Sequence, residues 1–187
     1  MATDGRTERG DRTRAALLEA SMELIARDGV ASATQRSVAA AAGASLASTT
    51  YHFGTRAELL VATLEHAAEL AVAEIDGLAA RVRSKDLDPV DACLGYIARQ
   101  RSGQSATAIV VFELALAAAR EPRLRAANTA FLESLRQLFA PFTPHGAALA
   151  QSFYGLLLLE LARGSEPSPE LETTIREIFA AFEVSAP

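Results

Sequence analysis

The sequence predicts an all-α fold of about nine helices, and three observations carry that expectation. Alanine, which leads the helix-propensity scale, supplies 40 of the 187 residues. Only 7 prolines and 11 glycines punctuate the chain, and they divide it into segments whose apolar residues recur at helical spacing. No run alternates with period two for long enough to form a strand. The length allows one large domain or two small ones with a real core.

Each helix has its own local reason. Arg12 to Arg27 places Ala16, Leu17, Ala20, Leu24 and Ile25 on one stripe, and Asp28-Gly29 closes the helix with a residue suited to a left-handed cap. Thr34 caps a short second helix, Gln35 to Ala42, and Ser45 caps a third, Leu46 to Phe53. Thr55-Arg56-Ala57-Glu58 is a capping box that opens a long fourth helix running to Arg83. Pro89 opens the fifth, which reaches Arg101, and the sixth ends at Arg120 after the break Ser102 to Ser105. The seventh runs from Pro122 to Phe139, the eighth from His145 to Ala162, and the ninth from Pro169 to Glu183 after the break Gly164 to Pro169.

Composition excludes several function classes. The single cysteine, Cys93, has no internal disulfide partner and no neighbour at metal-ligand spacing. The longest apolar stretch, around Tyr154 to Ala162, is interrupted by Glu160 and is too short for a membrane span. The polar start MATDGRTERGDRTR mixes acids with arginines, unlike a signal or transit peptide, so a cytoplasmic location is expected. No P-loop, nucleophile elbow or HExxH motif is present, and no metal or cofactor is expected; the expectation is a protein that is not an enzyme. The net charge of -5 opposes a nucleic-acid partner at first sight. It divides unevenly: residues 1–56 hold 7 arginines against 6 acids, so the acidity belongs to the remainder.

Gln35 to Phe53 has the layout of a helix-turn-helix, with Ala39 four residues before Gly43, where the turn needs a left-handed backbone. At about 100° per residue, the third helix is expected to pack with Leu46, Thr49, Thr50 and Phe53 and to offer Ala47, Ser48, Tyr51 and His52 to DNA. Ser48 suits a base edge or phosphate, Ala47 a thymine methyl, and Tyr51 and His52 phosphate oxygens. Arg36 suits a bidentate contact to guanine, while Thr34 and Arg56, at helix starts, suit phosphates. Arg6, Arg9, Arg12 and Arg14 in a basic arm add positive charge.

The run TRAALLEASMELIARDGVASATQRSVAAAAGASLASTTYHFGTRAELLVATLE, residues 13 to 65, resembles the N-terminal DNA-binding domain of TetR-family transcriptional regulators. The stripe of the first helix, the following glycine, the Ala-Gly-Ser turn, the Tyr-His-Phe end and the capped fourth helix all fall in register. Leu46 and Thr49 depart from it, standing where the family often has a basic or polar residue and a leucine. The resemblance implies a flexible arm over residues 1–11, a helix-turn-helix domain over 12–55 and a helical ligand-binding and dimerisation domain over 56–187. It implies a homodimer that binds a palindromic double-stranded DNA operator, in most cases as a repressor, released by a small-molecule effector. Carried over by position, the DNA contacts are Thr34, Gln35, Arg36, Ser45, Leu46, Ala47, Ser48, Thr50, Tyr51, His52 and Arg56. The alternative is a helical small-molecule-binding protein or enzyme that does not use this module for DNA regulation.

The eighth helix is apolar nearly all round, so it must be covered on two sides. Pairing helices eight and nine with their copies would make an intermolecular four-helix bundle through Leu149, Phe153, Leu156, Leu157, Ile175, Ile178, Phe179 and Phe182. Polar groups in otherwise apolar helices, Tyr96, Arg99, Glu113 beside Phe112, Asn128 near Phe131, Gln151 and Tyr154, are the expected ligand site. Glu113, flanked by apolar residues, needs a partner such as Arg99 or a cationic ligand.

Overall fold

The computed structural model describes residues 4–103, 105–164 and 166–184, with side chains from Thr7 onward. Gln104 and Ser165, in two of the expected breaks, and the Arg6 side chain lie outside the described residues. Among the described residues there are nine helices and no strand: α1 (Asp4–Asp28), α2 (Gln35–Ala41), α3 (Leu46–His52), α4 (Arg56–Arg83), α5 (Pro89–Arg101), α6 (Thr107–Ala118), α7 (Leu124–Phe139), α8 (Gly146–Ala162) and α9 (Leu171–Ala181). A 3₁₀ turn, Val30–Ser32, joins α1 to α2. The first helix begins at Asp4 rather than Arg12. Once its C-terminal half is nucleated by packing, each further residue adds a backbone hydrogen bond without a new nucleation cost.

The chain forms two compact units. The first combines the residues up to Ala67 with Ile109–Asn128. Its core holds Leu17, Ile25, Val38, Leu59, Leu64, Val110, Leu114 and Leu124, all buried completely. Leu17, Ala20, Leu24 and Ile25 of the expected α1 stripe are buried, whereas Ala16 falls on the exposed side. Ser21 and Thr63 are the polar pair in this interior: their hydroxyls lie 2.9 Å apart, and Thr63 also reaches the Leu59 carbonyl at 2.8 Å.

The second unit comprises Ala68–Ala108 and the residues from Thr129 onward. Ala79, Val82, Ala92 and Phe142 form an apolar cluster there. Gln100 is buried and spends both ends of its amide: Nε2 donates to Glu74 Oε2 at 3.2 Å, and Oε1 accepts from the Thr107 hydroxyl and the Ala108 amide. Glu160, the residue that interrupts the apolar run of α8, is buried beside Arg101 and Arg163 and accepts the Ser168 amide at 3.0 Å. A buried carboxylate is tolerable when such partners satisfy it.

Candidate nucleic-acid interface and an apolar cavity

The turn between α2 and α3 is built from short-range signals. Thr34 caps α2 by accepting the Ser37 amide at 3.1 Å, and Ser37 Oγ returns the contact to the Thr34 amide at 2.9 Å. Gly43 ends the helix at φ +62°, with Ala44 N donating to Ala39 O at 2.9 Å and Gly43 N to Ala40 O at 3.2 Å. That double bond is the Schellman arrangement, which favours glycine at the left-handed position. Ser45 then caps α3 through the Ser48 amide at 3.0 Å.

The faces of α3 differ from the expectation in one respect. Thr49 and Phe53 are buried as expected, but Leu46 and Thr50 are exposed. The two-turn helix is anchored at its C-terminal end, and Leu46 in the first turn extends past what covers Thr49 and Phe53. The outward surface therefore carries Arg36, Leu46, Ala47, Thr50 and Tyr51, the last 84% exposed, with Ser48 and His52 half-buried. Arg14 reaches over the Phe53 ring, 5.6 Å from its centroid.

Among the expected DNA contacts, Gln35 and Arg56 make long-range hydrogen bonds within their own unit. Gln35 Nε2 donates to the Phe53 carbonyl at 2.6 Å and so ties α2 to the end of α3. Arg56 donates from Nε to Ala33 O at 2.8 Å and from Nη2 to Val30 O at 2.7 Å, the latter a carbonyl that also accepts the Ala33 amide, and so ties the start of α4 to the 3₁₀ turn. Long-range partners of this kind carry no signal in the local sequence. Ser37, the reciprocal half of the α2 cap, was legible only as a serine three residues after a capping threonine.

The eight residues expected at a ligand site fall in both units. Phe112, Glu113 and Asn128 belong to the first unit, whereas Tyr96, Arg99, Phe131, Gln151 and Tyr154 belong to the second. Glu113 accepts the Val30 amide at 3.4 Å and is not the partner of Arg99, which pairs with Glu74 at 3.0 Å. Phe131 and Tyr154 pack edge to face at 6.0 Å, and Gln151 is exposed. Tyr96 alone among the eight lines a cavity of about 70 Å³ in the second unit, whose wall includes Ile75, Val82, Cys93, Phe142, Phe153 and Phe179. Among the described residues no charged side chain lines it. Burial, reinforced by the charge of Asp88, pushes the Cys93 thiol up to about 12, and burial followed by the charge of Glu74 raises the Tyr96 phenol.

The residues expected to meet a second copy also divide. Leu149, Phe153, Leu157 and Ile175 are buried within their own unit, and Leu156, Ile178, Phe179 and Phe182 are half-buried. The apolar surface that α8 leaves open is Leu158 and Leu159, 44% and 64% exposed, beside Gly155 and Ala162. A helix that is apolar all round gives no periodic cue to which side its own unit covers.

Among the described residues no helix is long and apolar enough to cross a membrane, and no cluster of three metal-ligating side chains occurs. Residues 17–63 match the family model for bacterial regulatory proteins of the tetR family. No match is found among curated proteins. Among solved structures, the multidrug binding protein EbrR complexed with imidazole is 27% identical, with a TM-score of 0.74 over 93% of this chain and 96% of that one. EbrR complexed with ethidium matches at 27% identity and a TM-score of 0.71, covering 89% of this chain and 97% of that one. A member of the TetR family from Streptomyces coelicolor A3, SCO1917, is 27% identical with a TM-score of 0.74, covering 89% of this chain and 97% of that one. The capped helix-turn-helix lies within the stretch that matches this family model, and the fold is shared along nearly the whole chain with solved structures that include a member of the TetR family.

Proposed function

We propose that the protein is a ligand-responsive repressor that binds a palindromic DNA operator as a homodimer. The observation that carries this reading is α3, which turns Tyr51 outward while Thr49 and Phe53 are buried behind it, with Arg36 exposed on α2. A braced two-turn helix with an outward face fits the major groove, and a two-fold pair of them fits two half-sites. Leu158 and Leu159 on α8 are the surface that a second copy would cover, with Gly155 and Ala162 allowing close approach. The apolar cavity supports an effector role for the second unit, as do the EbrR complexes with imidazole and ethidium. Its uncharged lining suits an uncharged apolar effector. Such a molecule regulates only by binding more tightly to the form with poor operator fit.

The test is selection of bound duplexes from a random pool, followed by gel shift of the winner. Affinity should fall steeply with salt, because phosphate neutralisation releases counterions. Arg36→Ala with Tyr51→Ala should abolish binding while helicity and mass in solution stay unchanged. Persistent binding by that double variant would remove the interface assigned here.

A further inference from the structure

We propose that α3 reads its operator through the 5-methyl groups of thymine, with Leu46 and Ala47 as the reading side chains. This rests on the operator-binding role proposed above. Between Leu46 and His52 the helix has no Arg, Lys, Asn, Gln, Asp or Glu, and these are the side chains that recognise base edges by paired hydrogen bonds or by accepting from cytosine. Its two threonine hydroxyls are spent at home. Thr50 Oγ1 donates to the carbonyls of Leu46 and Ala47, at 3.1 and 3.0 Å, leaving its methyl group unspent. Thr49 is buried, with its hydroxyl 3.4 Å from the Ser45 carbonyl, and Ser45 Oγ holds the Ser48 amide.

Beside the Ser48 hydroxyl and the polar tips of Tyr51 and His52, what α3 turns outward is apolar. Leu46 is 42% exposed and Ala47 is exposed beside it. A large aliphatic side chain on a surface that meets DNA gains from water exclusion only where it finds an apolar group. Among the four bases, thymine alone offers one in the major groove. Tyr51 and His52, edge to face at 5.2 Å, leave polar tips for the phosphates that set the register.

The experiment replaces each thymine of the selected operator by deoxyuridine, which deletes the methyl and keeps the pairing edge. One or two positions in each half-site should lose about fourfold in affinity per methyl removed. Leu46→Ala should erase the thymine-to-uracil difference at one of those positions while keeping salt-dependent binding and helicity. Sequence-selective binding that ignores uracil at every position overturns the proposal. Unchanged uracil sensitivity in Leu46→Ala removes Leu46 from it. Failure to recover any selected duplex instead refutes the operator-binding role itself, so the two failures are distinguishable.

Discussion

Arg56 and Gln35 stand where a DNA-binding surface would use them, yet each spends its donors on backbone carbonyls of its own unit. The cause is the need to satisfy buried or turn carbonyls, which is stronger than any preference for staying free. Ser21 and Thr63 obey the same rule in the interior, where both side chains are fully buried. Thr63→Val preserves shape but leaves Ser21 without this partner, and should lower unfolding free energy by about 1–3 kcal/mol in urea melts. Cys93 supplies a chemical check on the cavity wall. With its thiol held near 12, alkylation at pH 8 should be about a thousandfold slower than for a free cysteine and should recover in denaturant. Because the folded state holds that proton more tightly than the unfolded one, its contribution to stability is complete below about pH 9 and is lost as pH rises toward 12.

Helices carry their own ends. Asp88 accepts the Val90 and Asp91 amides and Pro89 occupies the first turn, so α5 starts and stops where sequence places it, Pro89–Arg101. Interiors of helices are less legible than their ends. In α3, burial of Thr49 and Phe53 leaves Leu46 outward, although helical periodicity groups all three on one side. The start of α8 shows a constraint that no periodicity encodes: a Cβ on Gly146 would meet Arg136 O at 2.9 Å and Ala140 N at 3.3 Å. Gly146→Ala should therefore cost about 1–3 kcal/mol despite alanine's better helix propensity, measured as a lower midpoint of chemical unfolding. A neutral or stabilising result would mean that the α7 and α8 ends separate freely.

At the level of the whole molecule, the net charge of -5 conceals a DNA-binding segment of slight positive charge. Binding from so small an excess depends on placement and, in the proposed homodimer, on presenting two copies at once. The exposed Leu158 and Leu159 are where that doubling is expected to be secured. Leu159→Glu should convert a dimer into a monomer by sedimentation at micromolar concentration, with loss of tight operator binding and an unchanged helical spectrum. A wild-type chain that sediments as a 20 kDa monomer would refute the homodimer. The half of this reading that concerns fold was legible because alanine content, caps and breaks are local. Membership of the apolar cavity was not: of the polar residues set among apolar neighbours, only Tyr96 lines it.

By itself the sequence determined the helices, their order, the helix-turn-helix and its turn, since these follow from propensity, capping and the left-handed freedom of Gly43 within a few residues. Only the tertiary structure decided which side of each helix is covered and which polar groups are already taken. Arg56 finds carbonyls 23 and 26 residues away and Glu113 an amide 83 residues away. Helical periodicity repeats every few residues and cannot specify partners at such separations; burial and hydrogen-bond satisfaction, which act through space, select them.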